Sequence, residues 1–327
     1  MDNLTHTAIG LFLSRAGLNR WTPLATPILL LAANAPDIDV VTLAAGPLTY
    51  LHYHRHLTHS LIAMPVLAAA VVVLVRLAWR KPLLWPGALA AALIGVASHL
   101  LLDLTNMYGI RLLLPFSAAW QRLDLNSMVD LWIWGALLLG IAGPFVSRLV
   151  GGEITSGTLR DKHPGRGGAI FALAFVLLYD CGRVVLHTRA VATLESRIYQ
   201  GHPPEHVAAL PDEVNPLHWR GLVETADFYA VDDVNLAGDF DPTEATIVPK
   251  PDPDPALDAA RRTHTFQEFL RFCQYPLFRV TAVQEPEGAK RVSLVDMRFR
   301  NFEADATVSV QLRVLSQTFH FGPIRPR

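Results

Sequence analysis

Between Tyr50 and Ser60 the chain carries His52, His54, His56 and His59, with Arg55 among them, at the mouth of an apolar run that begins at Leu61. Histidine at this density beside a hydrophobic helix suits a metal ion, and the partners such an ion takes are present elsewhere in the chain. They are His6, then Asp37 and Asp39 behind Pro36, then His99 and Asp103. His99 and Asp103 are four residues apart in a helical run, so both project from one face about a turn apart and one ion can take both. Ionisable groups inside an apolar span mark function by default; the plainer alternative is a His–Asp hydrogen bond tying two helices together.

The other candidates are read in the same way. Asp37 is either a turn residue after a helix-ending proline or, beside His and Asp at matching depth, the carboxylate that a zinc-type site needs. Asp39, if not a ligand, suits a general base. His54, His56 and His59 cannot all be ligands. The Thr58 hydroxyl can cap the next helix, which puts His59 in its first turn facing a cavity, and His54 stays a candidate ligand. His52 and His56 taken singly suit a solvated loop. Arg55 either holds negative charge on an anionic substrate, its guanidinium matching phosphate oxygens, or pairs with Asp37 or Asp39. Asn106, ahead of the turn at Tyr108-Gly109, is available to a ligand, and Asp124, Asn126 and Asp130 form a weaker polar cluster, with Asp130 expected one turn into a span.

These residues need elements to position them. The spacing of Leu4, Ala8, Leu11, Phe12 and Arg15 predicts a helix over 4–18, capped by Asn3 or Thr5. Residues 24–35 are apolar but shorter than the roughly 20 residues that cross a bilayer, and predict a buried or re-entrant helix ending at Pro36. Four longer runs, 59–79, 84–105, 128–148 and 168–187, predict membrane spans. Arg76, Arg80 and Lys81 lie in one turn, and Arg148, Arg160, Lys162 and Arg166 in another. The intervening turn 106–127 has only Arg111 and Arg122. Positive-inside logic puts the two basic turns in the cytoplasm. The histidine cluster, the His99–Asp103 pair and everything after the fourth span then fall on the extracytoplasmic side.

Residues 190–327 read as a separate, soluble α+β domain following a membrane domain over 1–189. Strand-like residues occur over 217–232, an acidic, proline-rich loop over 239–256, and an amphipathic helix over 257–273. Val295, Met297 and Phe299, and then Ala306, Val308, Val310, Leu312 and Val314, predict an antiparallel sheet with one covered face.

Of 327 residues 51% are hydrophobic and 17% charged, against about 25% charged in an ordinary soluble domain. The net charge of −1 gives no footprint for nucleic acid. Cys181 and Cys273 make no disulfide framework. Asp2, with no basic residue before Arg15, argues against a signal peptide. There is no Gly-rich phosphate loop, no HExxH, no CxxC pair and no GxSxG. Ser60 follows His59 directly, so their side chains diverge and do not form a nucleophile–base pair.

The ordered set His6-Thr7-x-x-Gly10, Pro36-Asp37-Ile38-Asp39, His54-Arg55-x-x-Thr58-His59-Ser60 and His99-x-x-x-Asp103-x-x-Asn106-x-Tyr108-Gly109 resembles the YdjM-like family of bacterial inner-membrane proteins over residues 1–150. The resemblance implies a multi-pass membrane protein with a metal site and a metal-dependent hydrolase activity. The ligand order is also similar, more faintly, to that of zinc-dependent phospholipase C and its related nucleases, which implies His6, Asp37, His59, His99 and Asp103 as ligands and Asp103 as a bridge between two ions. The further His/His/Glu set of those enzymes is not found after Asp103.

The expectation is therefore a mainly α integral membrane helical bundle with a C-terminal α+β domain. It holds one or two divalent ions, zinc foremost, at the outer face of the inner membrane. The expected activity is hydrolysis of an ester or phosphoester of a lipid-linked or amphiphilic substrate by a metal-activated water. The alternative is a structural metal, with the C-terminal domain binding a partner or lipid.

Overall fold

The computed structural model describes residues 1–154, 165–299 and 302–321. The expected basic turn with Arg160 and Lys162 lies outside the described residues. The chain forms two compact units. The first comprises 1–38, 55–188 and 211–217, and the second 39–54, 189–210 and 218–321 among the described residues.

The first unit is helical. Helix α1 (Asn3–Ala16) is capped by Asp2, whose carboxylate accepts from the Leu4 and Thr5 amides. The cap thus lies just ahead of the two residues expected to provide it. Helix α2 (Ala25–Ala32) is short and buries Ala25, Ile28, Leu29 and Ala32. In chain order the second unit then contributes α3 (Pro47–Tyr53). Helices α4 (Ala63–Trp79), α5 (Trp85–Thr105), α6 (Leu131–Ile154) and α7 (Arg166–Glu195), the last as far as Thr188, complete the first unit. Among the described residues, helices α5 and α7 are each long and apolar enough to cross a membrane, and the number rises to four if two bent helix pairs each count as one span. Helix α4 starts later than expected and has 17 residues, somewhat under the roughly 20 that span unaided. Its start is delayed by Ser60, whose hydroxyl donates to the Leu57 carbonyl at 2.7 Å and accepts from the Ala63 amide at 3.3 Å.

Two glycines set how closely these helices pack. A Cβ on Gly10 of α1 would lie 2.8 Å from the Leu29 carbonyl oxygen of α2, and one on Gly95 of α5 would lie 2.7 Å from Ala32 Cβ. The C-terminal end of α2 is therefore clasped between α1 and α5 at van der Waals distance. His6 lies one turn before Gly10 and His99 one turn after Gly95. The clasp brings their rings into a stack with centroids 3.8 Å apart.

The second unit contains two four-stranded antiparallel sheets where one was expected. One runs β1 (His206–Pro211), β2 (His218–Glu224), β3 (Phe228–Asn235) and β4 (Thr246–Pro249). The other runs β5 (Pro276–Ala282), β6 (Lys290–Asp296), β7 (Phe302–Val308) and β8 (Val314–Phe321). Strand β4 lies within the stretch read as loop. The single helix expected over 257–273 is two, α8 (Pro255–Arg261) and α9 (His264–Leu270), because Thr263 adopts an extended conformation and caps α9 through the Phe266 amide. On β6 the covered face is Val292, Leu294 and Asp296, not the face of Val295. It continues into Arg298, which makes a forked pair with Asp296 at 3.1 and 2.7 Å, so a buried charge is matched in place. The alternation predicted through Val310 and Leu312 is interrupted by a turn between β7 and β8, closed by the Leu312 amide on Ser309 O at 2.9 Å, and both side chains are exposed.

Helix α3 packs on α9 through His52, whose Nδ1 contacts the Glu268 carboxylate, while Arg271 donates to the same carboxylate at 2.8 and 3.1 Å. Burial alone would raise the Glu268 carboxyl; the His52 contact and the charges of Arg271 and His264 outweigh it and hold the group below its ordinary 4.5. A depressed carboxyl stabilises the fold above pH 4.5 and loses that contribution as pH falls through its folded-state value. Acid titration of melting temperature should therefore show a gap between wild type and Glu268→Gln that is present just above pH 4.5 and closes below it. A gap that persists unchanged into strong acid would contradict this assignment.

Candidate metal centre

Asp37, His59, His99 and Asp103 of the first unit converge on one point. Helix α5 supplies His99 and Asp103 from one face, as their spacing requires. His59 comes from a single 3-10 turn, Leu57–His59, ahead of α4. This differs from the expected position inside the first turn of the helix, and Thr58 hydrogen-bonds the His59 ring at 3.1 Å instead of capping α4. Asp37 follows Pro36, where α2 has ended.

The separations are those of a coordination cage. His59 Nε2 lies 3.1 Å from His99 Nε2, 3.4 Å from Asp37 Oδ1 and 3.4 Å from Asp103 Oδ2. His99 Nε2 lies 3.6 Å from Asp37 Oδ1 and 3.4 Å from Asp103 Oδ2. Four donors placed tetrahedrally at zinc-type bond lengths of about 2.0–2.2 Å stand roughly 3.3–3.6 Å from one another. Four of these five edges thus match, and the His–His edge is slightly short.

Protons sharpen the argument. The Ala33 carbonyl, at the C-terminal cap of α2, can only accept, so His99 Nδ1, 2.8 Å away, must donate to it. With its proton on Nδ1, the His99 ring presents a lone pair at Nε2 to the cage, as metal-ligating histidines held by a backbone carbonyl do. Asp37 Oδ1 and Asp103 Oδ2 add two more acceptors. Asp103 Oδ2 is buried and receives no hydrogen bond among the described residues. Three acceptors facing one another in a buried space need either a proton on His59 Nε2, which lies 3.1–3.4 Å from all three, or a cation among them. The donor set and the orphaned oxygen therefore fit a divalent ion.

The other carboxylate oxygen is occupied. Asp103 Oδ1 accepts from Arg55 Nη2 at 3.0 Å and Asn106 Nδ2 at 3.4 Å, and the Met1 amino nitrogen also lies against it. Arg55, 2% exposed, has its backbone in the left-handed region at φ 56° and its guanidinium 4.6 Å from the centre of the Tyr108 ring. Asn106 Oδ1 accepts from Arg55 Nη1 at 3.1 Å and from the Tyr108 and Gly109 amides at 2.8 and 3.3 Å. The ion pair expected of Arg55 thus goes to Asp103, and Asn106 fixes both the guanidinium and the turn beneath it.

His6 lies beside the cage. Its Nε2 is 3.4 Å from Asp103 Oδ1, and neither ring nitrogen has a hydrogen bond among the described residues. It is a candidate further donor. His54 and Asp39 belong to the second unit, where His54 Nδ1 and Asp39 Oδ1 are 3.0 Å apart. The four-residue cluster does not include them. Asp130 stands just ahead of α6 and caps it, accepting from the Trp132 and Ile133 amides at 3.0 and 3.1 Å, rather than sitting a turn inside. Sequence reasoning missed the parts played by Gly10 and Gly95. Their signal is glycine inside an apolar helix, where it costs about 1 kcal/mol relative to alanine and so marks a close approach.

A helical unit with apolar segments of spanning length, enclosing a buried His/Asp cluster that could hold a metal ion, defines a membrane protein class. The chain belongs to the YdjM inner membrane protein family, whose model matches residues 1–190. It is also similar to the uncharacterized protein YfhP of Bacillus subtilis (strain 168), with 25% identity over 323 residues, covering 92% of this chain and 88% of that protein. No solved structure matches the chain.

Proposed function

We propose that the protein is a membrane-embedded, metal-dependent hydrolase acting on an ester or phosphoester of a lipid-linked or amphiphilic substrate, with its metal centre at the extracytoplasmic face of the inner membrane. The carrying observation is the cage itself, with His99 Nε2, Asp37 Oδ1 and the orphaned Asp103 Oδ2 facing one another beside His59. A divalent ion held there, zinc by donor type, supplies a Lewis acid and a water of lowered pKa. The chain's own groups do the rest. Arg55 neutralises Asp103 Oδ1 and so turns Oδ2 into the cage. Ala33 O sets the His99 tautomer, and Asn106 holds Arg55. Among the four donors the Asp37 side chain is 13% exposed while the other three are fully enclosed. Asp37 is thus the corner at which water and a substrate head group reach the site. The Lys/Arg asymmetry between alternate turns supports the outward orientation.

A second reading has a specific observation in its favour. Four protein donors can close a tetrahedral ion by themselves, as structural zinc sites do, and the metal would then pin α2 to α5. Chelation separates the two. The hydrolytic reading expects the purified protein in detergent to cleave at least one member of a panel of amphiphilic esters and phosphoesters. Chelator should stop turnover while helicity persists, since a bundle keeps its backbone hydrogen bonds without the ion, and added zinc should restore it. Absence of cleavage across the panel, together with a large drop in melting temperature on chelation, would establish the structural reading.

A further inference from the structure

Helix α1 has two working faces. One carries His6 toward the metal centre. On the other, Leu4, Ala8 and Leu11 face Trp134, Leu138 and Ile141 of α6 across a groove of about 290 Å³. The groove is walled almost entirely by carbon and opens onto a surface on which Leu4, Leu138 and Leu139 are all more than half exposed. That surface is continuous with the apolar exterior of a unit whose family resides in the inner membrane.

The two ends of the groove differ. At the N-terminal end of α1, Thr5 and Thr7 line it. There Asp2 Oδ2 accepts from the Thr5 hydroxyl at 2.6 Å and from Trp134 Nε1 at 3.1 Å, and Asn34 Nδ2 donates to the Thr7 hydroxyl at 3.0 Å. Toward Leu11 and Ile141 the walls offer no polar side chain among the described residues. From Leu4 to Leu11 the helix advances about 10 Å, roughly two-thirds of one leaflet's share of a 30 Å hydrocarbon layer. An occupant must be narrow and apolar along that length and polar at the end that shares its helical turns with His6. Those are the properties of one acyl chain of a membrane amphiphile.

We propose that the groove between α1 and α6 seats a single acyl chain, with the chain's head group held at the N-terminal end of α1, in the same helical turns that carry His6 on their other face. That the head group is the one hydrolysed rests on the function proposed above; that a chain lies in the groove does not.

The test uses the full-length protein in nanodiscs containing phosphatidylglycerol with a photoactivatable diazirine on one acyl chain, and adducts are mapped by mass spectrometry. Adducts should concentrate on residues 4–11 and 134–141. They should fall about tenfold in Ala8→Trp, which fills the groove from α1, and in Leu138→Trp, which fills it from α6, a loss equivalent to a tenfold weaker occupancy constant. Leu177→Trp, on an exposed position of α7, should leave the pattern unchanged. Retained metal content in both groove variants reports that they fold. Adducts spread evenly along α7 and α6, or unaffected by either groove variant, would overturn the proposal. So would cross-links joining two copies of α1, which would make the groove a contact between chains. Groove adducts without hydrolysis of any ester would leave the chain site standing and remove the hydrolytic reading. Hydrolysis without groove adducts would do the reverse.

Discussion

Asp103→Ala is expected to destabilise the protein more than any other single change at the metal centre, by about 3–5 kcal/mol, the range for breaking a buried ion pair by removing one partner. The substitution strands the Arg55 guanidinium, 2% exposed, which donates to Asp103 Oδ1 at 3.0 Å. It also deletes the donor shared by both cage histidines, so bound metal should fall to background. Asp103→Asn keeps the shape and leaves an amide oxygen for Arg55, and should melt between wild type and Asp103→Ala while still binding metal poorly. Melting curves in detergent and metal analysis on the three proteins check the order. An Asp103→Ala protein that melts with wild type would refute the pairing of Arg55 with this carboxylate.

Gly10→Val should cost about 1–3 kcal/mol, typical of overpacking, although it removes a glycine from a helix. The added Cβ would stand 2.8 Å from the Leu29 carbonyl oxygen and 3.1 Å from Ala33 Cβ. Neither the α2 backbone nor the short Ala33 side chain can move aside without shifting α2. Because Ala33 O also sets the His99 tautomer, the same shift should weaken metal binding although no charged residue has changed. Gly135→Ala is the control. Its Cβ meets nothing within 4 Å, so the gain in helix propensity should leave that variant as stable as wild type or slightly more so. Equal melting temperatures for Gly10→Val and wild type would show that α1 does not depend on this contact.

Much of the centre is legible in the sequence because helical spacing is a strong constraint. His99 and Asp103, four apart in an apolar run, can only share a face. The hairpin of α4 and α5 brings His59 to the same end, and α2 ends at Ala32 ahead of Pro36, which opens the 3-10 stretch Pro36–Ala45 that carries Asp37. The long apolar runs at α5 and α7 are legible for the same reason. Other features depend on contacts distant in sequence. Nothing local to Arg55 selects Asp103 over Asp37 or Asp39 as its partner; that choice is made by Asn106 and Tyr108, some fifty residues on. The late start of α4 reflects Ser60 satisfying both ends of a tight turn, which competes with the helix for His59. In the second unit alternation alone could not detect the turn at Ser309–Leu312, because apolar residues continue through it. Nor could it choose the covered face of β6, where Val292 and Leu294 share their burial with Asp296, an aspartate neutralised by Arg298 just past the strand.

X-ray absorption at the zinc edge of the loaded, full-length protein tests the central claim most directly. A cage of His59, His99, Asp37 and Asp103 predicts two imidazole nitrogens at about 2.0–2.1 Å and two carboxylate oxygens at about 2.0–2.2 Å, with no sulfur shell. The imidazole scattering should fall by half, or the ion be lost, in His99→Ala. A His99→Ala protein that retains one equivalent of zinc with an unchanged spectrum would contradict the account, as would a wild-type spectrum containing a sulfur scatterer near 2.3 Å.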